Sequence, residues 1–187
     1  MHKAMSRRAS ARAFSLPGLL AADPRTLSIA MPHRVESLTT SDIRRNGTPK
    51  KKGPDCWRFL VLEDREPIAA ATAFEASSTA CARSSQKAKD FEFGGLNQGP
   101  FVRETAEAIR QAEALTEVRA GQFEAVLLVV PALDSVALWL KDLSSRAAHR
   151  HWGEADLLIA IPPFKAALDP GEPMTPASFL QALRLAR

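Results

Sequence analysis

The sequence predicts an α+β or α/β fold, a single domain built on a mixed β-sheet of about four to five strands covered by about three helices. Three observations carry the prediction. Two aliphatic runs, Ala125-Val126-Leu127-Leu128-Val129-Val130 and Leu157-Leu158-Ile159-Ala160-Ile161, each stop at proline, as buried strands do when the chain must turn back. Ahead of them lie two segments separated by a polar turn, which read as a hairpin. Between and after the runs lie stripes of apolar residues at helical spacing.

The elements follow in chain order. Trp57-Arg58-Phe59-Leu60-Val61-Leu62 alternates large residues as a strand does, and Glu63-Asp64-Arg65-Glu66-Pro67 is a polar turn. Residues 68–74 form the returning strand, although three consecutive alanines give it little β-propensity of its own. Residues 76–90 are small and polar and read as loop or short helix, and Phe91-Glu92-Phe93 reads as a brief edge strand. A helix is predicted over 101–119, with Pro100 at its first position and Gly121 after its end. Phe101, Ala108, Ile109, Ala112 and Leu115 share its inner face, while Arg103 and Glu107 make an exposed i,i+4 pair. After the first aliphatic run, Asp134 is placed as an N-cap, with Leu133 and Leu138 as a hydrophobic staple. Val136, Trp139, Leu140 and Leu143 follow at helical spacing, so a second helix is expected over 134–145. The last helix takes Thr175 as N-cap, Pro176 next, and Phe179, Leu180 and Leu183 inward.

Charge divides the chain unevenly. The net charge of +4 conceals eleven basic against four acidic residues up to Asp55, or +7, and therefore −3 over the remaining residues. Residues 1–30 are expected to be a flexible basic tail or a targeting segment, and 31–187 the globular domain. Residues 1–22 lack acids and are rich in Arg, Ser and Ala, the composition of an organelle transit peptide. A disordered tail is the plainer reading, as is a true start at Met31. The two cysteines, Cys56 and Cys81, cannot build a disulfide framework and read as reduced thiols, a single Cys56–Cys81 bridge being the alternative. No apolar run approaches the length of a membrane span, so membrane insertion is not expected. A cytoplasmic location is expected, or an organellar one if residues 1–22 are a transit peptide.

Residues able to carry chemistry are scattered along the chain. Asp134, Ser135 and Lys165 fall at the carboxyl ends of the aliphatic runs, where α/β proteins often keep their ligands. The nucleophile-elbow pattern G-x-S-x-G is absent, and no base is secured for Ser135. His149 and His151, followed by Glu154 and Asp156, are the nearest thing to a metal cluster, but the i,i+4 spacing of a helical zinc site is missing. If the aliphatic strands run parallel, these histidines lie on the rim opposite Ser135. The glycine-rich stretch Gly94-Gly95-Leu96-Asn97-Gln98-Gly99 matches no phosphate-binding pattern, and Glu104 in the next helical turn would repel an anion. Arg44, Arg45, Lys50, Lys51 and Lys52 form a basic stretch able to meet phosphates. Trp57 and Trp152 are aromatic anchors of the kind that interfaces favour, and Trp139 is expected in the core.

Strong scaffold signals without a convergent catalytic set predict a non-catalytic protein-binding or assembly module with a protein partner or a second copy of itself. Two alternatives follow from the candidates. One is a hydrolase or transferase with its site near Asp134 and Ser135. The other is a nucleic-acid-associated protein using the basic amino-terminal third. No cofactor and no metal is expected.

Overall fold

The computed structural model describes residues 22–49, 55–75, 91–144, 152–164 and 168–186. In chain order these form β1 (Leu27–Ser37), α1 (Thr40–Arg44), β2 (Cys56–Glu63), β3 (Glu66–Glu75), β4 (Phe91–Asn97), α2 (Pro100–Ala114), α3 (Thr116–Ala120), β5 (Phe123–Val130), a 3₁₀ turn (Pro131–Leu133), β6 (Ser135–Asp142), β7 (Leu157–Ile161), β8 (Pro173–Met174) and α4 (Pro176–Leu185). All the described strands join one mixed sheet in the order β4-β3-β2-β1-β5-β6-β7-β8. The expected sheet of four to five strands is therefore corrected to eight, and the molecule is richer in strand than in helix.

Three departures make up the difference. β1, at the centre of the sheet, escapes the pattern because Pro32, His33, Arg34 and Glu36 interrupt its apolar residues. Its proline is accommodated at an irregularity in the pairing with β2 between Ala30 and His33, where Met31 takes a positive φ of 51°. The helix expected over 134–145 is instead β6, paired residue for residue with β5 from Val130↔Ser135 to Phe123↔Asp142. Asp134 does not cap a helix; it closes the turn in the left-handed conformation, at φ 47° and ψ 46°. Finally β8, two residues long, is too short to leave a periodic signal.

The reason for the β6 inversion is burial on two faces. Ala137 and Trp139 face one core with Val126, Leu128, Val130 and Leu158, beneath Phe179, Leu180 and Leu183 of α4 and Ile43 of α1. Leu138 and Leu140 face the other with Leu127, Ile159 and Ile161, beneath Ala108, Ile109 and Ala112 of α2. A strand covered on both faces is apolar throughout, so a helical stripe can be drawn through it without meaning. The α2 layer continues over β2 and β3, where Val102 and Ala106 pack on Leu60, Leu62 and Ala70.

Other expectations hold. The β2–β3 hairpin forms in antiparallel register, and β4 is the outer strand beside β3. Pro100 opens α2, Gly121 follows α3, and Thr175 caps α4 by accepting from the Ser178 amide. The helix expected over 101–119 breaks at Leu115, whose extended backbone (ψ 136°) separates α2 from α3. Gly94 and Gly95 belong to β4, not to a loop; the Phe74 ring lies over Gly94, where a Cβ would fall 2.4 Å from it. Among the described residues no helix is long and apolar enough to cross a membrane.

A buried carboxylate ties the β6–β7 connection. Asp156 accepts hydrogen bonds from Trp139 Nε1 at 2.9 Å, the Asp142 amide at 2.9 Å and the Gly153 amide at 2.8 Å. Those donors satisfy an anion that would otherwise be costly to bury. Asp156 is thus accounted for by the fold rather than by a metal.

Candidate functional site

The sheet contains one parallel pair among its described ladders, β1 with β5, aligned from Arg34↔Val126 to Ser37↔Val129. Their carboxyl ends lie side by side, joined by a hydrogen bond of 2.9 Å from the Leu38 amide to the Val129 carbonyl. From that point the chain diverges. β1 leads through α1 to β2 on one side, while β5 turns directly into β6 on the other. Divergence from adjacent parallel strands opens a crevice beyond their carboxyl ends, the place where open α/β sheets hold ligands.

A cleft of about 520 Å³ occupies that position, lined by Thr39, Thr40, Ser41, Arg44, Arg45, Pro131 and Ala132. Local sequence explains the arrangement. Thr39 caps α1 by a capping box, accepting from the Asp42 amide while the Asp42 carboxylate takes the Thr39 amide at 3.0 Å. The Asp42 carboxylate also accepts from the Thr39 hydroxyl, and Asp42 is buried. Ile43 on the same helix is driven into the core. Spacing of i,i+4 then places Thr40 with Arg44 and Ser41 with Arg45. The far end of α1 is held by Arg184 of α4, whose guanidinium donates to the Ile43 carbonyl at 2.9 and 3.1 Å and to Asn46 Oδ1. Among the described residues no carboxylate lines the cleft.

The site candidates from the sequence separate accordingly. Arg44 and Arg45 come together in the cleft. Asp134 and Ser135 lie in the adjoining β5–β6 turn but do not line it. Ser135 is buried, and its hydroxyl donates to the Leu133 carbonyl at 2.9 Å. β7 runs in the same direction as β5, since both are antiparallel to β6, and its last residue Ile161 pairs with Val136 on this same rim. The two aliphatic strands are thus parallel in sense but separated by β6. Lys165, His149, His151, Lys50, Lys51 and Lys52 lie outside the described residues. Among the described residues no group of three or more His, Cys, Asp or Glu is placed to hold a metal.

The tryptophans sit elsewhere. Trp152 is half-buried against Trp139, ring centroids 5.0 Å apart, and its Nε1 donates to the Gly47 carbonyl at 3.1 Å. Trp57 lies under the Arg34 guanidinium at 5.2 Å. Arg34 Nε stands 2.8 Å from Glu124 Oε1, an ion pair by distance whose N–H is not aligned for a hydrogen bond. Both rings therefore serve contacts within the fold.

A second cleft, about 340 Å³, lies at the start of α2 between Pro67, Ile68, Gly99, Pro100, Val102, Arg103 and Glu104. That lining carries both a basic residue, Arg103, and an acidic one, Glu104. Sequence reasoning missed Thr39, Thr40, Ser41 and Ala132 as lining residues. The available signal was the capping-box spacing of Thr39 and Asp42, which announces α1 and sets the following arginines on it. Comparison with known proteins finds no matching family, no matching curated protein and no matching solved structure.

Proposed function

We propose that the chain is a non-catalytic binding module that takes a protein partner at the cleft beyond β1 and β5. The observation that carries the reading is the meeting of Arg44 and Arg45 with hydroxyl-bearing residues at the switch point of the sheet, with no carboxylate among the described lining residues. Two exposed guanidiniums there favour an acidic partner group, because Arg offers planar pairs of donors. The apolar Pro131 and Ala132 on the other wall suit the body of a side chain. The buried Ser135 hydroxyl, engaged by Leu133, weighs for binding over nucleophilic catalysis.

Site-specific photocrosslinking tests this. A photoreactive residue in place of Ala132 is expected to capture a protein, while the same residue in place of the exposed Arg119 on α3 captures none of it. Identical adducts at both positions, or none at Ala132, would contradict the reading.

A further inference from the structure

We infer that the group held in the cleft is the phosphate of a phosphorylated side chain on the protein partner. The inference rests on the binding reading above and specifies its chemistry. Thr40 and Arg44 on α1, with Ser41 and the C-capping Arg45, bring two guanidiniums and two hydroxyl-bearing residues to the lining of one cleft. A carboxylate is satisfied by one guanidinium fork. A phosphate monoester carries roughly −1.5 to −2 charge and three acceptor oxygens, and it can use both forks and the Thr40 hydroxyl together, the Ser41 hydroxyl being bonded to Thr39 Oγ1 at 2.9 Å. The one acid of α1, Asp42, is buried in the capping box with Thr39 and is not among the residues that line the cleft. The helix end itself is not the holder of the anion, since Thr39 already satisfies it.

A nucleic-acid backbone is the competing source of phosphate, and two observations disfavour it. The cleft is local, about 520 Å³. Among the described residues, no aromatic residue lines it to stack a base. Recognition of a single phosphorylated residue by an arginine cluster fits these constraints.

The test uses the full chain and three probes: a degenerate phosphoserine and phosphothreonine peptide library, its unphosphorylated twin, and a mixed-sequence single-stranded oligonucleotide. The phosphorylated library is expected to bind at least about tenfold tighter than its twin. Arg44→Ala/Arg45→Ala is expected to abolish that preference, and Arg44→Lys/Arg45→Lys to restore only part of it, because the charge returns without the fork. Equal binding of the two libraries, preference for the oligonucleotide, or a phosphate preference that survives both double variants would overturn the inference. Phosphatase treatment separates the two levels. Adducts at Ala132 that persist on dephosphorylated partners defeat the phosphate inference and leave the binding reading standing. If no adduct forms at Ala132 at all, the binding reading itself fails.

Discussion

At the scale of single residues, two buried polar groups carry measurable consequences. Asp156 gathers three N–H donors from Trp139, Asp142 and Gly153. Asp156→Asn turns one acceptor oxygen into a donor facing donors. It is expected to cost about 3 kcal/mol in urea unfolding, since buried donors lose their partner. A loss below about 1 kcal/mol would refute the role given to Asp156. His33 is fully buried beside Arg58, its Nδ1 2.7 Å from the Met31 carbonyl and its Nε2 without a partner. Burial foremost, and the Arg58 charge to a lesser degree, push its pKa down to about 4, against the raising effect of the Met31 carbonyl. The folded protein thus keeps His33 neutral while the unfolded chain takes up a proton below about pH 6.5. His33 therefore contributes its full stabilisation above that pH, and about 3 kcal/mol is lost as pH falls toward 4. Urea unfolding across that range should show the loss, and His33→Leu should flatten it; an unchanged slope would exclude His33 as its source.

At the scale of elements, β6 is the sharpest test of the fold. As a strand buried on both faces it leaves no tolerant position between Ala137 and Leu140. As an amphipathic helix it would turn Ala137 away from the stripe of Val136, Trp139 and Leu140. Ala137→Lys is therefore expected to destabilise the protein by more than about 3 kcal/mol, because it buries an unpaired charge between β5 and β7. A cost below about 0.5 kcal/mol, the behaviour of a surface helix position, would contradict the strand. The same element shows how far the sequence could be read. Strands β2, β3, β5 and β7 and helices α2 and α4 were legible, because hairpin chemistry, aliphatic runs, Pro100 and Thr175 are local signals. β6 was not, since the second layer that covers it comes from α2, α4 and their distant positions in the chain. β1 was hidden by a proline that only its pairing irregularity makes acceptable.

At the scale of the whole molecule, the sheet is two antiparallel runs, β1 to β4 and β5 to β8, joined by the parallel pair β1 and β5. That junction creates the one switch point among the described strands, and the cleft lies there. Half of the site could be read in advance: Arg44 and Arg45 stand out by charge, and the Pro131 strand end stands out by pattern. Their meeting could not, because residues more than 80 apart are brought together only by the pairing of a strand the sequence concealed. We propose that this meeting serves binding and not the stability of the fold. Its most direct test measures Arg44→Glu/Arg45→Glu for both properties, thermal unfolding and affinity for the protein captured at Ala132. The expected result is a melting temperature within about 3 °C of the parent, as for exposed substitutions, and affinity weakened at least about tenfold. Undiminished affinity in a variant that remains folded would contradict it.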